Sequence, residues 1–159
     1  GRAIDVACGL GDNAEALAAA GFDVTAFDFS KNAIEWAKKR FSGRPVNYVV
    51  ADLLDPPAEW LGAFDFVHET YTIQALRDDM RTNAFKAIVD LLAPNGRLLV
   101  ICRARDDDEG VEGPPWPLDR NELAIFKTLG LVEVRFEDYL ETRDRPIRHF
   151  RVEYQKQGN

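Results

Sequence analysis

The sequence predicts an α/β fold: a doubly wound, mostly parallel sheet of about seven strands with an antiparallel C-terminal strand. Three observations predict it. Short apolar runs of strand length alternate with helical patterns from the first residues to about residue 130. Glycine, proline and asparagine punctuate the junctions. The last two apolar runs, 132–139 and 149–154, are joined too tightly for a parallel crossover, so one of them must run antiparallel.

The elements follow in order. The first strand opens at Ala3, turns through Gly9 and Gly11, and passes into an Ala-rich helix over 13–20 that Gly21 stops. Residues 22–27 read as the second strand, ending in Asp28-Phe29-Ser30. Ser30 is a good N-cap for a helix over 32–40, with Ile34, Trp36, Ala37 and Phe41 approximating its buried face. The third strand, 46–50, ends in Ala51-Asp52-Leu53-Leu54 and is broken by Asp55-Pro56-Pro57. The fourth, 64–68, runs into Glu69-Thr70-Tyr71. A helix over 79–92 stops at Pro94-Asn95-Gly96, and 97–102 is the fifth strand. A loop over 105–118 leads to a helix over 120–129, which ends at Gly130. Trp36 and Trp60 read as packing residues and His68 as a satisfied core histidine.

Length and charge narrow the function. The 159 residues suit one domain spanning 1–159 with a real core. A formal net charge of −7 disfavours nucleic-acid backbones, which need clustered cations. No apolar run reaches membrane-spanning length and no signal peptide is visible, so neither a membrane nor a nucleic-acid partner is expected. Cys8 and Cys102 have no metal-ligand spacing. Reduced thiols, a cytoplasmic location and no metal site are the expectation. The chain starts at Gly1 directly in the first strand, so an N-terminal extension is expected to be missing from it. The oligomeric state is open.

The first strand–turn–helix is the informative stretch. A glycine between strand and helix lets a ligand approach the backbone, and the helix points free N–H groups at the same place. Gly9-x-Gly11-x-x-Ala14 fits the dinucleotide fingerprint, a weak signal alone. Two features favour another ligand. Asp5 lies inside the strand, where a carboxylate needs a partner. Residues 3–30 contain no Lys or Arg but carry Asp5, Asp12, Glu15, Asp23 and Asp28. A pyrophosphate would meet Asp12 with no nearby cation in the sequence. A cofactor with sulfonium and ammonium groups, S-adenosylmethionine (SAM), suits these carboxylates better.

Asp5-Val6-Ala7-Cys8-Gly9-Leu10-Gly11 resembles the first motif of the class I SAM-dependent methyltransferases, an acidic residue followed by a glycine-rich turn. Ala7 stands where a glycine is frequent, and it is small enough to keep the turn. The resemblance covers the chain from the first strand onward. It implies a Rossmann-like sheet, SAM as cofactor and S-adenosylhomocysteine as product. It implies that Asp5, Ala7, Cys8, Gly9, Gly11 and Asn13 seat the cofactor, and that Asp28, beside Phe29 and Ser30, holds its ribose. Asp28 lies 17 residues after Gly11, where an acidic group accepts from ribose hydroxyls, and Ser30 already fills the capping role. Asp52 and Leu53 would lie beside the adenine; a turn cap before Pro56-Pro57 is the other role open to Asp52. Glu69 and Tyr71 fall where family members contact the methionine part or the substrate.

The 105–118 loop contains Gly113-Pro114-Pro115-Trp116-Pro117. A glycine–proline–proline–aromatic run in this place resembles the thiopurine S-methyltransferase and tellurite-resistance branch. Trp116 is either a wall of the acceptor pocket or a surface anchor. Arg103 and Arg105, at the base of the loop, either orient an anionic acceptor or offset Asp106, Asp107, Asp108 and Glu109. The segment 69–76 and the loop 105–116 are expected to face each other across the mouth of the cofactor site, with Tyr71 and Trp116 as its apolar walls. Methyl transfer needs mainly proximity and alignment, and a thiol or selenol needs little help from a base. The Asn-Pro-Pro-aromatic motif of nucleic-acid amino methyltransferases does not occur. The sequence therefore points to an enzyme methylating a small soft nucleophile, with no catalytic residue identified. A nicotinamide-dependent oxidoreductase and a non-catalytic SAM-binding module are the alternatives.

Overall fold

The computed structural model describes residues 1–158. Seven strands form one sheet: β1 (Arg2–Val6), β2 (Asp23–Asp28), β3 (Asn47–Val50), β4 (Phe64–Thr70), β5 (Leu92–Arg103), β6 (Leu131–Glu141) and β7 (Ile147–Lys156). Their order is β3-β2-β1-β4-β5-β7-β6. The first five pair in parallel, whereas β7 runs antiparallel to both β5 and β6. This is the doubly wound sheet with an antiparallel C-terminal strand that the sequence predicts.

Five helices cover it: α1 (Asp12–Ala19), α2 (Lys31–Arg40), α3 (Asp78–Asp90), α4 (Arg120–Leu123) and α5 (Ile125–Thr128). Side chains alternate across the parallel strands, so each strand feeds two cores. Ala3, Val24 and Ala26 pack with Ala14, Ile34 and Ala37 of α1 and α2. Ile4, Val6, Phe27 and Val67 pack on the other face with Phe85 and Ile88 of α3 and Phe126 of α5. Phe126 anchors that second core between Phe85 and Tyr154, at centroid distances of 4.7 and 5.1 Å.

Three local expectations change. Trp36 is 60% exposed, under the Lys39 ammonium rather than in the core. It lies two residues from buried Ile34, and such residues point to different sides of a helix; Trp60 is buried as expected. Pro94-Asn95-Gly96 does not end an element. It sits inside β5 as an irregularity, with Asn95 at φ 64°, where the register with β4 jumps from Phe64–Leu92 to Phe66–Arg97. A proline has no N–H to offer a ladder, and a bulge asks for none. The helix expected over 120–129 is two short ones. Asp119 caps α4 through a capping box with Glu122, and the chain tightens at Ala124, whose carbonyl accepts from Lys127 N at 3.0 Å.

Gly11 fixes the junction of β1 and α1. Its φ is 93°, and a Cβ there would lie 2.5 Å from the Tyr48 hydroxyl, which is bonded to Glu15 at 2.8 Å. Gly11→Ala combines left-handed strain with that collision. It is expected to lower unfolding free energy by about 2 kcal/mol, read as a lower urea midpoint at unchanged slope. An unchanged midpoint would show that Tyr48 can move aside at no cost.

Candidate active site

The carboxyl ends of the parallel strands share one edge of the sheet, where ligands bind in such folds. The β1–α1 turn occupies the centre of that edge. Ala7, Gly9 and Gly11 all have positive φ, at 51°, 55° and 93°. Ala7 pays about 1–2 kcal/mol for this conformation, so the frequent glycine at its position has a backbone reason. Cys8 N donates to Phe27 O at 2.8 Å and Gly11 N to Cys8 O at 3.0 Å, folding the turn back on β2. A Cβ on Gly9 would meet nothing within 4 Å, so the space above the turn is open. No side chain caps α1, which leaves its first amides, including that of exposed Asn13, facing the same edge.

Asp28 ties this turn to β2. Its carboxylate accepts from Gly9 N at 2.9 Å and from Ser30 N at 2.8 Å. Ser30 caps α2 by accepting from Ala33 N at 3.2 Å. Asp52 accepts from Leu54 N at 2.9 Å, so it does fill the turn-capping role. Beside these turns lies an apolar cavity of about 360 Å³ lined by Ala7, Phe27, Phe29, Asp52, Leu53 and Met80, among others. Phe29, 79% exposed, stands at its rim. The sequence reading found Ala7, Phe29, Asp52 and Leu53 and brought the 69–76 segment, which supplies Thr72 and Leu76, to this edge; it missed Met80, which reaches the cavity from α3. Nothing local in Met80 signals that role.

The charge pattern differs in space from the sequence. Asp12 is held by both terminal nitrogens of Arg40, at 2.8 and 3.1 Å, and Glu15 lies 3.3 Å from Arg44. The segment without cations is therefore supplied with them from α2 and the turn after it. That charge balance no longer argues against a phosphate.

Behind the turn, Asp5 and His68 are cross-strand partners on β1 and β4. Asp5 Oδ1 lies 2.8 Å from His68 Nδ1, and Thr70 Oγ1 lies 2.9 Å from His68 Nε2. The carboxylate only accepts, so Nδ1 is the donor. His68 is thus a satisfied histidine, as read from the sequence. Asp5 Oδ2, Thr72 Oγ1 and Glu69 Oε2 are buried without partners among the described residues. Burial, with the charges of Asp5 and Asp28, pushes the Cys8 thiol up to about 12, which leaves it a neutral wall of the turn. Glu69 is fully buried. Its Oε1 accepts from Thr72 N at 2.5 Å and Ile73 N at 3.2 Å, which shapes the turn after β4, and burial pushes the carboxyl up to about 7.

The expected pairing of Tyr71 and Trp116 is not formed. Tyr71 lines a depression of about 550 Å³ with Gln74, Arg103, Glu141, Arg143 and His149. Trp116 lines a separate one with Arg77, Arg81 and Phe85, its ring under the Arg77 guanidinium. The two segments do touch, but through backbone: Trp116 N donates to Gln74 O at 2.7 Å. Arg105 is also committed elsewhere. It pairs with Asp119 at 3.0 Å and Glu122 at 3.2 Å and donates to the Pro117 and Glu109 carbonyls. It fastens the loop and has no free face for an acceptor. Arg103 keeps its place beside Tyr71, and His149 is the residue the sequence reading missed there.

This sheet, with a left-handed turn at its centre and a capped acidic residue at the end of β2, defines a nucleotide-cofactor α/β domain. The methyltransferase domain family matches residues 3–96, more than half of the chain, and the chain belongs to that family. A demethylmenaquinone methyltransferase from Clavibacter sepedonicus is 32% identical over 79% of this chain and 47% of its own length. A probable thiol methyltransferase from Arabidopsis thaliana is 29% identical over 87% of this chain and 62% of its own. The chain spans about half the length of such curated relatives. A SAM-dependent methyltransferase from Methanosarcina mazei superposes with a TM-score of 0.83 at 19% identity, covering 99% of this chain and 93% of that one. Family membership sets aside the nicotinamide-dependent alternative.

Glu69 gives this site a pH signature. Its carboxyl ionises near 4.5 when unfolded and near 7 when folded. Below 4.5 both states hold the proton; as pH rises to 7 the unfolded chain releases it first, so the folded state loses stability across that window. Glu69→Gln removes this ionisation. Its stability relative to wild type is expected to improve by about 3 kcal/mol between pH 4 and pH 8, read from urea unfolding. A pH-independent difference would show that Glu69 ionises normally.

Proposed function

We propose that this chain binds SAM along the carboxyl edge of its sheet and transfers the methyl group to a small soft nucleophile, a thiol or selenol. The observation that carries the cofactor part is the open β1–α1 turn clamped by Asp28. Each Asp28 oxygen takes one backbone N–H, and a carboxylate has further lone pairs for ribose hydroxyls. The apolar cavity between Phe29 and Leu53 suits an adenine ring, with Asp52 at its edge. The partnerless oxygens of Asp5, near the end of β1, and Thr72, just beyond β4, lie on the side on which an ammonium group would be received. Asp5, Ala7, Cys8, Gly9, Gly11 and Asn13 would then hold the amino-acid portion. Glu69, by contrast, acts through the backbone turn it shapes.

SAM, when bound, supplies an electrophilic methyl group. The protein's own work is to bind, align and exclude water, which suits an acceptor that is already nucleophilic. The thiol methyltransferase relative supports the soft-nucleophile reading, because it matches over most of this chain and beyond the cofactor half.

Titration calorimetry with S-adenosylhomocysteine is expected to show binding that Asp28→Ala weakens at least about tenfold, with NAD giving no heat. Labelled SAM offered with a panel of thiols, selenols, phenols and amines is expected to label thiols and selenols first. Binding of NAD and none of S-adenosylhomocysteine would sink the cofactor assignment, and labelling of amines alone would sink the acceptor class.

A further inference from the structure

The depression around Tyr71 holds a hydrogen-bonded pair that cofactor binding does not use. Tyr71 Oη lies 2.9 Å from His149 Nε2, and His149 Nδ1 lies 2.9 Å from the Ile147 carbonyl oxygen. A carbonyl only accepts, so Nδ1 carries the proton and Nε2 presents its lone pair to the phenol. The imidazole is buried and held by Tyr139, stacked at 5.5 Å and 22°. Tyr71 is 45% exposed and opens into the depression. A buried proton acceptor is thus connected to an accessible hydroxyl.

Two further features point the pair at a ligand. Tyr71 has φ 66°, a conformation that an aromatic residue adopts at a cost of about 1–2 kcal/mol. Arg103 stands opposite His149 in the β5–β7 register and lines the same depression, and its guanidinium makes no hydrogen bond or ion pair among the described residues. The other titratable groups facing the pair are Cys102 from β5, Tyr139 and Glu141 from β6, and Arg143, Asp144 and Arg145 from the turn after it. Glu141 lies 3.8 Å from Arg143, which offsets its charge. The depression lies at the ends of β4 and β5, on the same edge as the β1–α1 turn.

We propose that this depression receives the methyl acceptor, that the acceptor is a small protic acid such as a phenol, enol or thiol, and that Tyr71 passes its proton to His149 beside Arg103. The inference rests on the methyl-transfer reading above and extends it to acceptors that arrive with their proton. The acceptor's X–H bond breaks as its proton joins Tyr71 Oη. The phenolic proton moves to His149 Nε2, forming imidazolium, and the X–H electron pair stays on X. Arg103 favours that anion. The imidazolium later returns its proton to solvent through the same hydroxyl. Tyr71 is the catalytic residue; His149 acts through it and is a positioning residue and proton store.

4-Nitrophenol tests this without turnover, because its anion is yellow and its acid form is not. Titrated into the protein at pH 6 with S-adenosylhomocysteine present, it is expected to develop the phenolate band on binding. Tyr71→Phe, which keeps the ring and so the packing, and His149→Gln are each expected to bind it with the band reduced about tenfold or more. In methyl transfer at pH 8, both variants should slow phenol about 100-fold while thiophenol, already an anion, stays within a few-fold. Absence of binding, absence of the band in wild type, a band retained by both variants, or equal losses for phenol and thiophenol would each overturn the relay. Calorimetry on the same samples separates the two levels. Failure to bind S-adenosylhomocysteine overturns the methyl-transfer reading and the acceptor role with it, whereas binding without the phenolate band removes the relay alone.

Discussion

The Asp28 carboxylate is the contact on which the cofactor edge depends. It takes the N–H of Gly9 from one side and of Ser30 from the other, so one side chain joins the β1–α1 turn to the start of α2. Charge-assisted bonds of this kind are the stronger ones. The turn needs such a tie because it is strained: three of its five residues hold positive φ, and one of them is alanine. Phe27 and Phe29, the chain neighbours of Asp28, line the apolar cavity, so the residue that ties the turn also sets the strand end beside that cavity.

The sheet carries its polar groups unequally on its two faces. On the side of α1 and α2, Asp5 and His68 face each other across β1 and β4, and Thr70 closes the chain. On the other side Glu69 stands alone among apolar neighbours and satisfies only one oxygen, through the backbone of the next turn. Burial penalises a charge that has no cation, so Glu69 holds its proton to near neutrality. Alternation along β4 is what sends consecutive residues into such different surroundings. Among the described residues no helix is long and apolar enough to cross a membrane.

Much of the candidate site was legible, for a definite reason. Asp28, Phe29, Asp52 and Leu53 are strand-end residues, and in a parallel α/β sheet strand ends converge on one edge. Any sequence in which the strands can be counted yields them. The facing of Tyr71 and Trp116 does not form, and Arg105 pairs elsewhere, because Trp116 and Arg105 belong to a long loop, where the chain direction is not set by a repeating pattern. Arg105 is committed to α4 through Asp119 and Glu122, and the loop docks on Gln74 by its backbone. His149 was passed over because β7 runs antiparallel: its first residues, not its last, reach the functional edge.

The sequence by itself determined the number of strands and their succession along the chain, the turn between β1 and α1, the cap at Ser30 and the acidic strand ends. These depend on the period of apolar residues and on turn chemistry, which act over a few residues. Tertiary structure decided which charges meet and what faces each cavity. Arg40 reaches Asp12 across 28 positions, His68 reaches Asp5 across 63, and Tyr71 reaches His149 across 78. Contacts so distant along the chain exist only once the sheet has set strand order and register, and no local pattern encodes them.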